Sequence, residues 1–191
     1  MRTADQEMSA RVATHPFTAG MDHEQLALLT DCAMCAHFKE GDVIIREGQP
    51  ANRFYLIESG KVVLLSSMEH EQPLVVDTIG AGDLLGWSWI FPPHIWHFTA
   101  RATEDTEAIF FCGELLRRYC ERNHSLGYAL FKRMSAVMIK RLQAAREKML
   151  LLHAGEEKLQ PAIGLSPFME QELDTDDYVE SKSSDTVKLS T

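Results

Sequence analysis

The sequence predicts a mainly β fold, an antiparallel roll of two sheets with flanking helices and a long C-terminal helix. Short β-branched and apolar runs separated by glycine-containing turns fill about residues 38–112, which is typical of such a roll. Helical periodicity then extends over residues 113–152. With 191 residues, 45% of them hydrophobic, the chain can bury one sizeable core, so we expect one domain over residues 21–153.

The chain begins with an arm and a first helix. Residues 1–20 are polar with no sustained period and are expected to form a flexible arm. The first helix is predicted to start after Asp22, which can cap it reciprocally with Gln25. Leu26 and Leu29 mark the apolar face of this helix.

Six runs within the roll have the length and composition of strands. Ser59-Gly60 is expected to form a tight hairpin turn, and residues 68–73 a longer polar connection at the surface. The predicted strands are residues 43–46, 54–57, 62–65, 74–79, 96–102 and 107–111.

Two helices are predicted after the roll, over residues 113–122 and, following a cap at Ser125, over about residues 126–152. One stripe of the long helix can pack on the roll: Leu130, Met134 and Val137. A second stripe has coiled-coil spacing and predicts a homodimer seam, unless both stripes form one broad buried face. The seam residues are Phe131, Ser135, Met138, Leu142, Ala145 and Met149.

The composition changes again at the C-terminal end. Nine acidic and three basic residues follow Gly155, and nothing there supplies a second apolar stripe. Residues 154–191 are therefore expected to form an acidic, largely disordered tail.

The charge of the chain argues against two kinds of partner. The 28 acidic and 19 basic residues give a net charge of −9, which repels nucleic acid and anionic membrane surfaces. There is no run of 18 apolar residues and no secretory leader pattern, so a cytoplasmic location is expected.

Because a cytoplasmic location is expected, the four cysteines are expected to be free thiols. They are Cys32, Cys35, Cys112 and Cys120. Cys32-Ala-Met-Cys35 also has the spacing of a redox or metal-binding pair, which stays open as the alternative.

Residues 82–102 look like a cradle for a small molecule. Their sequence is Gly-Asp-Leu-Leu-Gly-Trp-Ser-Trp-Ile-Phe-Pro-Pro-His-Ile-Trp-His-Phe-Thr-Ala-Arg-Ala. A turn at Gly86 is expected to lead into a short helical turn from Trp87 or Ser88, which Pro92-Pro93 ends. Free backbone N–H groups at such a turn suit an anion.

This stretch resembles the phosphate-binding cassette of the cyclic-nucleotide-binding domain, a family that includes the catabolite gene activator and the regulatory subunits of cAMP-dependent protein kinase. The family's glycine landmarks also occur in order, in residues 38–48, 55–62 and 80–86. The resemblance covers about residues 22–150 and implies a double-stranded β-helix, or jelly roll. The family's transcription factors continue after the long helix into a winged helix-turn-helix that binds DNA. In this chain 37 residues of acidic character follow the long helix, so the resemblance implies that no DNA-binding domain is present.

The resemblance places two functional positions on aromatic residues. In nucleotide-binding members, a glutamate after the cassette glycine accepts from the ribose 2′-OH, and an arginine about nine residues later clamps the cyclic phosphate. These positions are Trp87 and Trp96, or His97 if the loop slips by one. The aromatic side chains could hold a flat or apolar ligand, plug the space as core, or accept a cyclic nucleotide unconventionally.

One further cation is a candidate on the long helix. Arg146 follows Ala145 where the catabolite activator touches adenine, so it could face the cradle or be a solvated arginine beside Glu147. The candidate ligand-binding residues are Gly86, Trp87, Ser88, Trp89, Trp96, His97, Phe98, Thr99, Ala145 and Arg146.

An enzyme is not expected. Metal-dependent cupins share a related roll, but His94 and His97 lack the glutamate and later histidine that would complete a metal site. The sequence therefore predicts a regulatory sensor domain without a cofactor, which reports to an unknown protein partner and does not bind cAMP in the family's standard way. The alternative is a degenerate, ligand-free dimerisation module.

Overall fold

The computed structural model describes residues 4–66 and 73–154. The helices are α1 (Ala4–Thr14), α2 (His23–Asp31), α3 (Gly113–Arg122) and α4 (His124–Ala154), with a 3-10 turn at Pro16–Thr18. The strands are β1 (Ala33–Phe38), β2 (Val43–Ile45), β3 (Arg53–Ser59), β4 (Lys61–Ser66), β5 (Leu74–Gly80), β6 (Leu84–Leu85), β7 (Thr99–Ala102) and β8 (Thr106–Cys112).

The eight strands form two four-stranded antiparallel sheets, in the orders β1-β8-β3-β6 and β2-β7-β4-β5. Apolar side chains of both sheets belong to the hydrophobic core, in which Phe54, Leu56, Val62 and Ile109 are fully buried. The predicted jelly roll with flanking helices and a C-terminal helix is confirmed.

The helices that flank the roll follow local sequence signals. Asp22 and Gln25 form the predicted reciprocal cap of α2. The cap of α4 is not Ser125: the side chain of Asn123 accepts from the backbone N–H of Leu126 at 3.0 Å. The Ser125 hydroxyl instead accepts from the Gln25 amide at 2.9 Å.

Four elements form where the sequence analysis expected none: helix α1, the 3-10 turn and strands β1 and β6. Residues 4–18, assigned to a flexible arm, form α1 and the 3-10 turn because Val12 and Phe17 are buried in the core and Arg11 pairs with Glu58. Strand β1 lacks β-branched residues, but it pairs along its whole length with β8. Tertiary pairing overrides the weak local preference.

The roll belongs to a compact unit that ends at Ala145, inside α4. The predicted connection at residues 68–73 and the predicted tail at residues 154–191 lie outside the described residues, except for Pro73 and Ala154. Within the described part of the chain, no helix is long and apolar enough to cross a membrane.

Candidate functional site

The cassette begins where β6 ends. Gly86 has a φ of 85°, a backbone conformation that glycine adopts without strain. No helix follows it: Trp87 and Ile90 are joined by one backbone hydrogen bond of 3.2 Å, in a turn. The predicted short helical turn is therefore a single hydrogen-bonded turn and not a helix. The predicted strand at residues 96–102 also starts later, at Thr99.

The indole ring of Trp96 lies directly over Gly86. A β-carbon placed on Gly86 would be 2.7 Å from Cζ3 of Trp96, so the glycine is what allows the ring to approach. The backbone of Trp96 is anchored by two hydrogen bonds of 2.9 Å, to Gly48 and Gln49. Trp96 is 5% exposed. The indole therefore fills the cradle as part of the core.

The space left in the cradle is very small. A cavity of about 20 Å³ remains among the side chains and backbone of the cassette, room for about one water molecule. Its lining brings together most of the candidate ligand-binding residues from the cassette, namely Gly86, Trp87, Ser88, Trp96, His97 and Phe98.

Trp87 and His97 form a stacked pair at this cavity. Their ring centroids are 5.9 Å apart with an interplanar angle of 16°. The hydroxyl of Ser88, which is buried, lies 3.1 Å from Nδ1 of His97 and fixes the orientation of the imidazole. The pair therefore adds a second aromatic layer beside Trp96.

Two other cassette candidates, Trp89 and Thr99, are not among the residues that line this cavity. Trp89 is in the main core, stacked on Phe54 at 5.5 Å, and its indole N–H has no hydrogen-bond partner among the described residues. The hydroxyl of Thr99 accepts from the backbone N–H of Glu47 at 3.1 Å. Ala145 and Arg146 are exposed positions of α4, so a role for them at the cradle remains a prediction.

Arg141 is a residue of this site that sequence reasoning missed. Its side chain is 20% exposed, lines the cradle cavity, and donates to the carbonyl oxygen of Leu84. Burial lowers the pKa of its guanidinium from the ordinary value. The spacing along the helix could have identified it. Arg141 follows Met134 by seven residues and Val137 by four, so it lies on the same face of α4 as the roll-facing stripe.

The described residues contain no group of three or more His, Cys, Asp or Glu side chains that could hold a metal ion. The four cysteines are free, and burial raises the pKa of Cys32 to about 12, which disfavours the reactive thiolate. Burial of Cys32 therefore argues against a reactive redox pair with Cys35.

Comparisons with known proteins agree on one family. Residues 35–123 match the family model of the cyclic nucleotide-binding domain. Human cGMP-dependent protein kinase 2 is 33% identical over 67 residues, which are 35% of this chain and 9% of the kinase. The alignment thus spans a small part of that relative's length.

Solved structures extend the likeness beyond the matched segment. A protein of Geobacter metallireducens assigned as cyclic nucleotide-binding is 27% identical, with a TM-score of 0.63 over 70% of this chain and 97% of that one. A cyclic nucleotide-binding domain from Methylobacillus flagellatus, 16% identical, has a TM-score of 0.68 over 84% of this chain and 89% of that one, and shows the fold alone. Together the comparisons show that this chain is similar to the cyclic nucleotide-binding domain in sequence over residues 35–123 and in fold over most of the roll and its helices.

Proposed function

We propose that this chain is a regulatory domain of the cyclic-nucleotide-binding type whose cradle is closed by its own aromatic side chains. The observation that carries the proposal is the indole of Trp96 over Gly86, which leaves a cavity of about 20 Å³. The family match supports a regulatory and non-enzymatic role.

The chemistry of the cradle argues against a standard cyclic nucleotide. A desolvated phosphodiester anion requires a paired cation, and the sugar hydroxyl requires an acceptor. Trp87 and Trp96 occupy the two positions where the family resemblance places these groups, and neither can supply them. Arg141 borders the cavity, but a space of about 20 Å³ leaves no room for a phosphodiester beside its guanidinium.

Calorimetry with cAMP and cGMP tests the proposal. Two missing charge-assisted interactions of about 1.5 to 3 kcal/mol each lower affinity by roughly 10² to 10⁴, so we expect no saturable binding below about the millimolar range. A gain of cAMP affinity in Trp87→Glu combined with Trp96→Arg would support the assigned register. Micromolar cAMP binding that disappears in Trp96→Ala would overturn the proposal and make Trp96 a stacking platform for the base.

The proposed unit is a homodimer joined through α4. The seam residues Phe131, Leu142 and Met149 are 50%, 71% and 59% exposed, whereas Leu130 and Met134 on the roll-facing stripe are buried. Large apolar side chains at coiled-coil spacing gain stability when a second copy covers them. Such a dimer would report to another protein without contacting DNA directly.

The second candidate function is a ligand-free interaction module, and the small cradle cavity favours it. A thermal-shift screen with cyclic nucleotides and small aromatic acids separates the two, because a ligand that binds the folded state raises its stability. Stabilisation that is saturable supports a sensor. An unchanged melting temperature with every compound supports the ligand-free module.

A further inference from the structure

A larger cavity lies outside the cradle. It has a volume of about 330 Å³, at the lower end of the range for small-molecule sites. The 3-10 turn, β5 and the residues just after it, and α4 form its walls. Its apolar lining includes Phe17, Ile79, Leu84 and Val137.

Arg141 lines this cavity, and its buried guanidinium makes few of the hydrogen bonds that would offset the loss of its hydration. It donates to the carbonyl oxygen of Leu84 and forms an ion pair with Asp77, whose carboxylate oxygen lies 3.8 Å from Nε, a distance too long for a hydrogen bond. A planar guanidinium with five N–H donors can pair bidentately with an oxyanion. A desolvated charge without such a partner carries a free-energy penalty that an incoming anion would remove.

The charged neighbours restrict which anion fits. Lys140 adds a second positive charge to the lining, while Asp77 and Asp83 add two negative charges. Both carboxylates already accept backbone hydrogen bonds, Asp77 from Thr78 at 2.8 Å and Asp83 from Gly80 at 2.9 Å. The four formal charges cancel, so a dianion such as phosphate is disfavoured and a single carboxylate beside Arg141 is tolerated.

We propose that this outer cavity binds a small monocarboxylic acid with an apolar aromatic or branched aliphatic body. The carboxylate pairs with Arg141, and the apolar body packs against Phe17, Ile79 and Val137. Arg141 borders both this cavity and the cradle, but the other lining residues of the two cavities differ, so acid binding here does not require a nucleotide in the cradle. Since its walls come from the N-terminal turn, the roll and α4, occupancy would stabilise α4 against the roll.

The test is calorimetry with benzoate, phenylacetate and 4-methylpentanoate, each compared with its neutral amide. We expect saturable binding of at least one acid with one site per chain, and affinity for its amide at least roughly tenfold weaker because the charge-assisted pair is lost. Arg141→Met should weaken binding by roughly 10- to 150-fold. Arg101→Met, which removes an exposed arginine away from this cavity, should leave it unchanged.

A second variant tests the same cavity in case Arg141→Met does not fold. Ala144 lines the cavity, so Ala144→Phe fills the space while Arg141 remains, and binding should be abolished. The proposal is overturned if no acid saturates by about 10 mM, the range where roughly 3 kcal/mol of binding energy remains. Equal affinity for acid and amide, or acid binding that persists in Ala144→Phe, would overturn it as well.

Discussion

The closed cradle depends on Gly86 for two reasons: its backbone has a positive φ, and its lack of a β-carbon lets the ring of Trp96 approach. We expect Gly86→Ala to destabilise the fold by about 1 to 2 kcal/mol through its positive φ, plus about 1 to 3 kcal/mol through contact with Trp96. Gly41→Ala is the matched control, since Gly41 has a φ of 91° and no atom within 4 Å of a built β-carbon. Urea denaturation of both variants measures the difference.

The same experiment in a Trp96→Leu background isolates the ring contact. The excess cost of Gly86→Ala over Gly41→Ala should shrink there, because the two residues touch and their effects are not additive. Equal costs for both glycines in the wild-type background would contradict the close packing of Trp96 on the cassette.

His15 gives the fold a pH dependence at the residue scale. It is 5% exposed, its Nδ1 accepts from the N–H of Phe17, and its Nε2 lies 3.2 Å from the carbonyl oxygen of Ile57. Burial lowers its pKa from the ordinary 6.5, although Glu58 and Asp83 act in the opposite direction. Between the folded pKa and 6.5 the unfolded chain binds more protons, so stability falls as pH drops below about 6.5.

The expected slope for this one group is at most about 1.4 kcal/mol per pH unit. His15→Asn keeps an acceptor for the N–H of Phe17 and removes the titration. The difference in unfolding free energy between wild type and His15→Asn should therefore decrease as pH falls from 7.5 toward 5, measured by urea denaturation. A pH-independent difference would show that His15 does not remain neutral in the fold.

The residues of the cradle were partly predictable from the sequence. Trp87 and Trp96 could be placed because glycine landmarks fix the register of the cassette. Arg141 was missed because a charged residue within an apolar stripe is usually read as the edge of that stripe, while here its long side chain reaches the roll. Trp89 was taken for a ligand contact because spacing within a loop does not show which aromatic ring turns into the core.

At the scale of elements, the seam on α4 gives the sharpest test. Leu142 is 71% exposed in the single chain, and a dimer seam would bury it. Leu142→Asp should then dissociate the dimer, because the interface would hold an unpaired charge. Gln143→Asp adds the same charge one residue away on the outward-facing side of the heptad, and should leave the dimer intact. Light scattering across a concentration series distinguishes these states, and a wild-type monomer at high concentration would refute the seam.

The prediction of elements succeeded where local signals are strong. The cap at Asp22 and Gln25 and the full extent of α3 follow from the sequence, because capping and helical periodicity act within a few residues. Helix α1 and strand β1 could not be predicted in the same way. Their stability comes from distant partners, such as Glu58 for Arg11 and β8 for β1, which a local pattern does not contain.

At the scale of the whole molecule, charge decides which partners can approach. The net charge of −9 opposes a DNA backbone, and two of the three arginines of α3 are paired within the chain. Arg117 donates to the carbonyl oxygen of Trp89 at 2.6 Å, and Arg118 pairs with Glu114 at 2.7 Å. Counterion release from phosphates requires accessible cations, and Arg117 and Arg118 are already paired within the chain.

We therefore expect no sequence-dependent binding of duplex DNA by this chain at physiological salt, measured by fluorescence anisotropy with pools of random duplexes. Glu104→Lys is a positive control for the assay: it adds a cation and frees Lys61, which pairs with Glu104 at 2.9 Å. Any binding that this variant gains at low salt should vanish as salt rises, because such contacts are purely ionic. Wild-type binding that selects one sequence and persists at about 150 mM salt would mean that the protein reads base edges, and would contradict the proposed role as a regulator that acts through another protein.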